Sequence, residues 1–313
     1  MAEKESEPRD SRNGRGGSIP GTAGQPAFTL TLREPAPVPV LIAVPHAGRA
    51  YPDEFADLMR NPAQASLRLE DRFADLVAEA VARETGAALL VAHAPRAMID
   101  LNRAPDDIDW DMVVGGLPQR RARMAAGRRA RSGLGLVPRR LPGLGELWKR
   151  RLSQDDLSAR IEQVHQPYHA ALSRGLESLR DRWGAALLID LHSMPPLGPK
   201  RGADPAPDFV VGDRFGASCD STLSVATFEH FTAHGRRAAH NRPYAGGYVL
   251  DRHAAPARGL HALQLEICRS AYLDAELREP SQGLAAVVRV LVGLVRRMAE
   301  ELAVGRSLPQ AAE

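Results

Sequence analysis

The sequence has few of the residues that mark disulfide-rich or cysteine-metal proteins. Only two cysteines, Cys219 and Cys268, occur among 313 residues. Two thiols so far apart are too few for a disulfide framework or a cysteine zinc cage. This composition is typical of a reducing compartment and predicts a cytoplasmic protein.

Long apolar runs are also missing. The most apolar segment, LAAVVRVLVGLV, is interrupted by Arg289, and no run approaches the roughly 20 residues that a membrane-spanning helix needs. The first residues, MAEKESEPRDSRNGRGG, are charged and rich in glycine, without the apolar centre of a signal peptide. We therefore expect no membrane association, a disordered tail over residues 1–26 and a single α/β domain over 27–313.

Positive charge is concentrated in one segment. Between Gln119 and Arg151 there are eleven Lys and Arg against one acid, Glu146. Trp148 is the segment's single aromatic, and its glycines and prolines break any continuous basic helix, which disfavours nucleic-acid binding. The pattern favours a solvated basic insertion at about 104–151, and steering of an anionic substrate is a further use for it. A nucleic-acid-binding protein on a degenerate hydrolase scaffold stays open as an alternative.

Apolar runs alternate with helical patterns along the chain. The predicted strands lie near residues 38–44, 87–93, 185–192, 208–213 and 261–267, and the predicted helices near 70–84, 153–183, 218–233 and 281–302. Such alternation is typical of βαβ units. The fold class predicted is α/β, with a mainly parallel (mixed) sheet and helices on both faces.

Two histidine pairs have the spacing of a helical metal site. His165 and His169 are four residues apart in HQPYH, and His230 and His234 are four apart in HFTAH. Both lack the glutamate that follows the first histidine in HExxH zinc sites. We interpret them as flanks of amphipathic helices. Pro167, inside the first pair, predicts a kink or a break in the 153–183 helix.

Polar side chains stand where three predicted strands end. His46 follows VPVLIAV, His192 follows AALLID, and Glu266 lies near the end of HALQLEI. The carboxyl ends of parallel strands meet at one crevice, so these groups are expected to be neighbours. Two imidazoles and a carboxylate suit catalytic zinc, which keeps one coordination position open.

The third ligand is expected in Leu69–Arg72, at the start of the predicted 70–84 helix. Extrapolating the apolar face of that helix backwards brings Glu70 nearer the core than Asp71. Residue chemistry alone leaves both open. Asp190, two residues before His192, is of the right type to accept a hydrogen bond from a ligand imidazole.

Several motifs in order resemble the N-formylglutamate amidohydrolase family. They are PHAG at 45–48, ED at 70–71, IDLNR at 99–103, DLHSMPP at 190–196, NRPYAGGY at 241–248 and GLHALQLEICRSAY at 259–272. The resemblance runs from about residue 38 to 275. It implies a fold similar to zinc-dependent exopeptidases and aspartoacylases, and hydrolysis of N-formyl-L-glutamate to formate and L-glutamate in histidine degradation.

The resemblance also implies roles for individual residues. The metal, Zn²⁺ or another divalent ion, would be held by His46, Asp71 and His192, with Glu70 as the alternative to Asp71. Glu266 would be the general base. Substrate contacts would come from Asn102, Arg103, Asn241, Tyr244 and Arg269. The expected partner is a small anionic N-acyl amino acid, and a zinc deacylase or exopeptidase for another N-acyl amino acid remains an alternative. The physiological metal and the oligomeric state stay open.

Overall fold

A computed structural model describes residues 11–116, 127–202 and 205–304 of the chain. Its strands are β1 (Ser11–Gly16), β2 (Phe28–Arg33), β3 (Val40–Val44), β4 (Ala88–Ala92), β5 (Arg140–Leu141), β6 (Gly145–Glu146), β7 (Ala186–Met194), β8 (Phe209–Gly212), β9 (Ala238–His240) and β10 (Leu260–Cys268). All except the short β5–β6 hairpin belong to one eight-stranded sheet.

The α-helices lie between and after these strands. They are α1 (Asp53–Asp57), α2 (Pro62–Leu69), α3 (Ala74–Thr85), α4 (Arg128–Arg131), α5 (Gln154–Arg160), α6 (Gln166–Trp183), α7 (Ser221–Ala233), α8 (Tyr248–His253) and α9 (Gly283–Val304). Across the described part of the chain, no helix combines the length and the apolar character that a bilayer crossing requires.

The sheet is mixed, with a parallel centre. Its strand order is β1-β2-β4-β3-β7-β10-β8-β9. Strands β4, β3, β7 and β10 are parallel to one another, whereas β2 and β8 run antiparallel to their inner neighbours. The predicted fold class is therefore confirmed, because the runs read as buried strands form the parallel centre.

The central strands are buried on both faces, as continuous apolar runs predict. In β3, Leu41 and Ala43 join one core cluster, while Val40, Ile42 and Val44 join the other. Helix α6 packs on the first face, and α3, α7 and α9 pack on the second. Core packing on two faces leaves only the strand ends free to carry polar side chains.

The predicted helix over 153–183 is interrupted rather than continuous. It begins with a capping box, in which Ser153 and Asp156 bond each other's backbone. A π-helical turn, Ile161–His165, separates α5 from α6. Pro167 has no N–H to donate, and the carbonyl of Gln163, four residues earlier, instead accepts the backbone N–H of Ser18 at 2.9 Å. The predicted irregularity is therefore present as a π-helical turn just before the proline, and Pro167 itself lies in the first turn of α6.

The N-terminal region corrects the sequence prediction. Residues 11–26 were expected to be disordered, but β1 pairs in antiparallel register with β2 and Ile19 is fully buried. No apolar pattern in the sequence predicts β1, because this strand is held by backbone hydrogen bonds rather than by apolar side chains. The prediction is wrong for these residues, and residues 1–10 lie outside the part described.

The basic segment at 104–151 is packed where it is described. It contains a 3₁₀ turn, Trp110–Met112, helix α4 and the β5–β6 hairpin. Leu136, Leu147 and Trp148 are buried in the same core cluster as α6. The expectation of a solvated insertion is therefore wrong for this part. Three of its basic residues, Arg120, Arg121 and Arg123, lie outside the described residues.

Candidate metal and catalytic site

The parallel strands bring the predicted groups to one edge of the sheet. His46 follows β3, and β3 pairs in parallel with β7, which carries His192. On the other side of β7, Glu266 of β10 is the register partner of His192. A cleft of about 420 Å³ opens at this edge and is lined by all three side chains together with Asp71.

His46, Asp71 and His192 form a compact, buried group. Each offers one ligand atom, and these atoms all lie within 4.8 Å of one another. Oδ2 of Asp71 is 2.9 Å from Nδ1 of His192 and 3.5 Å from Nδ1 of His46. The three residues are 2–3 % exposed. Among the described residues this is the one group with the spacing and chemistry of a metal site.

The local backbone explains why Asp71, and not Glu70, joins the histidines. The N–H of Asp71 donates to the carbonyl of His46 at 2.9 Å, which ties the two loops together. Phe73 is left-handed (φ 58°), and α3 begins only at Ala74. Glu70 turns toward Arg72, whose Nη1 lies 3.2 Å from Oε2. Burial raises the pKa of Glu70.

Each histidine also binds a carboxylate on its outer side. Nε2 of His46 lies 2.7 Å from Oδ1 of Asp100, and Nε2 of His192 lies 2.9 Å from Oδ2 of Asp190. A carboxylate only accepts, so each Nε2 donates a hydrogen bond to its outer carboxylate, and the Nδ1 of each ring faces Asp71. The predicted pairing of Asp190 with a ligand imidazole is confirmed.

This donor set fits a divalent cation. The buried Nδ1 of His46 has no hydrogen-bond partner in the described residues. Two imidazole nitrogens and a carboxylate oxygen therefore converge, and a buried polar atom left unpaired is costly. Although burial acts to raise it, the pKa of Asp71 is held well below its ordinary value by the two imidazoles beside it, His192 first and His46 second. A cation among these three acceptors would satisfy all of them.

Glu266 stands beside this group in the cleft. Its side chain is buried, and its Oε1 accepts a hydrogen bond from Nε2 of Gln264 at 3.0 Å. Burial raises the pKa of Glu266 to about 7, although the nearby His192 acts to lower it. A carboxyl group with a pKa near neutrality can both accept and return a proton, which is what a general acid–base group needs.

Asn102 lines the cleft but is already bound by the protein. Its Nδ2 donates to Oε1 of Gln264 at 3.2 Å and lies 3.5 Å from Oδ2 of Asp190. Its Oδ1 accepts the backbone N–H of Val249 at 3.0 Å. Asn102 thus connects the β7 and β10 side chains to the start of α8.

Arg103 and Tyr244 also line the cleft. Nε and Nη1 of Arg103 donate to the carbonyls of Leu134 and Asn102, at 3.0 Å and 2.6 Å. Burial lowers the pKa of Arg103, and the nearest carboxylate oxygen, on Asp100, is 3.9 Å away. Burial raises the pKa of Tyr244, so its phenol stays protonated and able to donate.

Arg269 is in the cleft wall with most of its donors in use. Its Nη2 donates to the carbonyl of Glu70 at 2.5 Å and lies 3.4 Å from Oδ1 of Asp71. Its Nε donates to Ser193 Oγ and its Nη1 to the carbonyl of Leu67. The guanidinium therefore holds the loop that carries Asp71.

The structure does not bring Asn241 to the cleft. Its Nδ2 donates to Oδ1 of Asp213 at 2.8 Å, and its Oδ1 accepts the N–H of Asp213 at 3.0 Å. The buried Asp213 carboxylate needs several donors, and the left-handed Asn241 (φ 59°) supplies one of them. The motif around Asn241 indicated its loop correctly, but of the two residues expected to contact substrate there, Asn241 and Tyr244, Tyr244 lines the cleft and Asn241 does not.

Sequence reasoning missed Arg96. Its Nε and Nη2 both lie 2.9 Å from Oδ2 of Asp100, so it completes a chain from His46 through Asp100. It also lines the cleft, which brings a cation beside Glu266 and Asp71. No sequence pattern marks it, although Asp100 lies inside the IDLNR motif.

The HQPYH histidines support the site from behind. Nε2 of His169 donates to the carbonyl of Leu101 at 3.0 Å, and Nε2 of His165 donates to that of Arg103 at 2.9 Å. His253 bonds Nδ1 of His169 at 2.9 Å. Both HQPYH histidines are buried, so their interpretation as helix flanks is incomplete: they hold the backbone on either side of Asn102.

The other pair behaves as the sequence suggested. Nε2 of His230 donates to the carbonyl of Val290, and Nδ1 of His234 donates to the carbonyl of His230. Both belong to the end of α7 and do not line the cleft.

Comparison with known proteins identifies relatives across most of the chain. A sequence model of the family described as N-formylglutamate amidohydrolase matches residues 38–273. An N-formylglutamate deformylase of Pseudomonas putida is 32% identical over 241 residues, covering 76% of this chain and 82% of its own. One from Pseudomonas aeruginosa is 29% identical over 278 residues, covering 85% and 92%.

Solved structures agree with this match. The crystal structure of N-formylglutamate amidohydrolase from Ralstonia eutropha JMP134 is 34% identical with a TM-score of 0.78, covering 89% of this chain and 99% of that one. A gene product of Agrobacterium tumefaciens shares the fold, at 18% identity and a TM-score of 0.65, covering 88% and 96%.

Proposed function

The chain belongs to the N-formylglutamate amidohydrolase family, and on that premise we propose that it hydrolyses N-formyl-L-glutamate to formate and L-glutamate. The observation that carries the proposal is the convergence of His46, Asp71 and His192 in a cleft beside Glu266. A nucleic-acid-binding role on a degenerate scaffold is not favoured, because the hydrolytic groups are present together.

In this proposal, His46, Asp71 and His192 would hold a divalent ion, with zinc favoured by their nitrogen and oxygen donors. Bound there, the ion would supply Lewis acidity toward the water and the formyl oxygen. The protein's part is to keep both imidazoles in the Nε2–H form. Asp100 and Asp190 do this by accepting hydrogen bonds from those Nε2–H groups.

Glu266 would act as the proton carrier. It accepts a proton from the attacking water as the water oxygen forms its bond to the formyl carbon. The same proton then passes to the amide nitrogen as the C–N bond breaks, which releases formate and the amine of glutamate. Arg96 lies in the same cleft, and its positive charge would stabilise the oxyanion that develops on the formyl oxygen.

Arg103 would receive a substrate carboxylate. Its planar guanidinium suits bidentate binding, and among the described residues the nearest carboxylate oxygen is 3.9 Å away. Tyr244 could add a hydrogen bond from its protonated phenol. Arg269, a substrate contact by resemblance, would contribute mainly by fixing Asp71.

The test is a formate-release assay on purified protein. Metal-stripped protein should lose activity and regain it on reloading with zinc, and His46→Ala should abolish it. N-formyl-glutamate should be compared with N-formyl-aspartate, N-acetyl-glutamate and N-formyl-methionine on the same sample. Full activity in His46→Ala would contradict the assignment. A preference for another N-acyl amino acid would change the proposed substrate but not the proposed hydrolysis of an amide bond.

We make two further proposals, on the cellular compartment and on the domain organisation. Cys219 and Cys268 are both buried and unpaired, which suits a reducing, cytoplasmic compartment. The packing of residues 127–152 against the main core supports a single domain that includes the basic segment, and the pairing of β1 with β2 extends it from residue 27 back to residue 11.

A further inference from the structure

The cleft contains more positive charge than its own acids neutralise. Besides Arg96 and Arg269, it is lined by Arg68, Arg103 and Arg129. Arg68 donates only to a carbonyl, that of Pro142 at 2.7 Å. The side chain of Arg129 has neither an ion pair nor a hydrogen bond within the described ranges. Both guanidinium groups therefore have donors available for an anionic ligand, and arginine binds carboxylates with planar, bidentate geometry.

These three arginines lie on the same wall of the cleft. The backbone N–H of Leu134 donates to the carbonyl of Arg129 at 2.9 Å, and the carbonyl of Leu134 accepts Nε of Arg103 at 3.0 Å. Arg68 bonds Pro142, next to Leu141, which also lines the cleft. One short stretch of the basic segment, 134–142, therefore gathers all three. The positive charge of Arg129 also lowers the pKa of Arg103.

The nearby acids are committed to other partners. Asp100 accepts from His46 and Arg96. Asp107 accepts the backbone N–H of Ala130 at 3.2 Å and so caps the start of α4. Asp71 and Glu266 belong to the reacting end of the cleft. The wall around Leu134 is left with unneutralised charge that faces the substrate cleft.

We propose that Arg129 and Arg68 form a subsite for the distal carboxylate of a dicarboxylate substrate, with Arg103 binding the carboxylate next to the scissile amide. The assignment rests on the proposed function. Arg103 takes the nearer carboxylate because it adjoins Asn102, which touches His192 at 3.4 Å. Arg129 and Arg68 line the same cleft but are exposed, so the proposal assigns them to the end of the substrate farther from the buried metal-binding residues. The basic segment would thus determine substrate selectivity.

The test compares two substrates that differ only in the charge at that end, N-formyl-L-glutamate and N-formyl-L-glutamine. Arg129→Gln and Arg68→Gln should each lower kcat/KM for the glutamate compound by about 10- to 100-fold, as loss of a charge-assisted hydrogen bond implies. The same variants should change kcat/KM for the glutamine compound by less than about threefold. Arg151→Gln, an exposed arginine of the same segment that does not line the cleft, is the matched control.

A second arm measures binding without turnover. Calorimetry on zinc-loaded protein compares glutarate with butyrate, and glutarate should bind at least about tenfold more tightly, with that advantage lost in Arg129→Gln. Equal losses for both substrates, or an unchanged glutarate advantage in both variants, would overturn the subsite. If wild-type protein releases no formate, the proposed function fails, and the glutarate arm still decides the subsite. Both arginines are exposed, and thermal melting checks that the variants fold.

Discussion

Nε2 of His46 donates its proton to Oδ1 of Asp100 across 2.7 Å, and this bond determines which nitrogen of the ring faces Asp71. His192 is fixed by Asp190 in the same way. Because neither carboxylate touches the proposed metal position, each acts through its histidine. The first prediction follows from this pairing.

Asp100→Asn and Asp190→Asn should each weaken zinc binding by about 10- to 100-fold, because the imidazole loses its fixed orientation and part of its basicity. Zinc affinity is measured by competition with a chelator. Asp213→Asn is the matched control, since Asp213 also accepts from a histidine, His240, at 2.8 Å but lies outside the cleft. An equal loss in all three variants would show that the effect is not specific to the site.

Glu266→Gln should lower kcat by about 10²- to 10⁴-fold while zinc content stays at the wild-type level, because only the proton carrier is removed. Metal analysis and formate release on one sample separate the two effects. Loss of zinc together with activity would instead make Glu266 a ligand.

The pH profile of the wild-type enzyme should have an acid limb that belongs to Glu266. The carboxylate must be ionised to accept a proton, so kcat/KM falls as the pH drops through its pKa. Burial raises that pKa from 4.5 to about 7, and a bound cation would lower it. We therefore expect the limb between these values. A profile that stays flat down to pH 4.5 would contradict this role.

The buried histidines behind the site should make folding sensitive to acid. Burial lowers the pKa of His253 to about 3 and that of His169 well below its ordinary value of 6.5. The unfolded chain binds these protons first, so the free energy of unfolding falls as the pH drops below about 6.5, by about 1.4 kcal/mol per pH unit for each group. His253→Gln should reduce this slope by one proton in urea titrations, and an unchanged slope would contradict the buried, neutral state of His253.

Gly48→Ala tests the loop that carries His46. A Cβ on Gly48 would collide with the backbone carbonyl of Ala94. Moving either backbone should cost about 1–3 kcal/mol of unfolding free energy and weaken zinc binding. Gly14→Ala in β1 is the control, because its Cβ would meet nothing closer than 3.9 Å. A Gly48→Ala protein with unchanged stability and zinc affinity would contradict the close approach.

Sequence patterns predicted the groups that stand at strand ends. Continuous apolar runs revealed β3, β7 and β10, and parallel pairing then brought His46, His192 and Glu266 together. The extrapolation that favoured Glu70 failed because it assumed a regular helix through residues 70–73. The left-handed Phe73 and the bond from Asp71 to His46 are tertiary features that periodicity does not contain.

Other parts depend on contacts between residues distant in sequence. Arg96, Gln264 and the pairing of β1 with β2 have no local signature, since their partners are fixed only when the sheet forms. Asn241 carried a family motif but serves the buried Asp213. The motif indicated the correct loop, and only the three-dimensional structure shows that Tyr244 lines the cleft whereas Asn241 does not.

The bond between Ser18 and Gln163 makes the start of the chain a part of the long helix. Because Pro167 has no N–H, the carbonyl of Gln163 has no donor within the helix, and Ser18, in the segment after β1, supplies one. The same wide turn ends in His165, which holds the backbone of Arg103. Removing residues 1–18 to shorten the protein should therefore expose that carbonyl to water and loosen the helix turn that holds the backbone of Arg103.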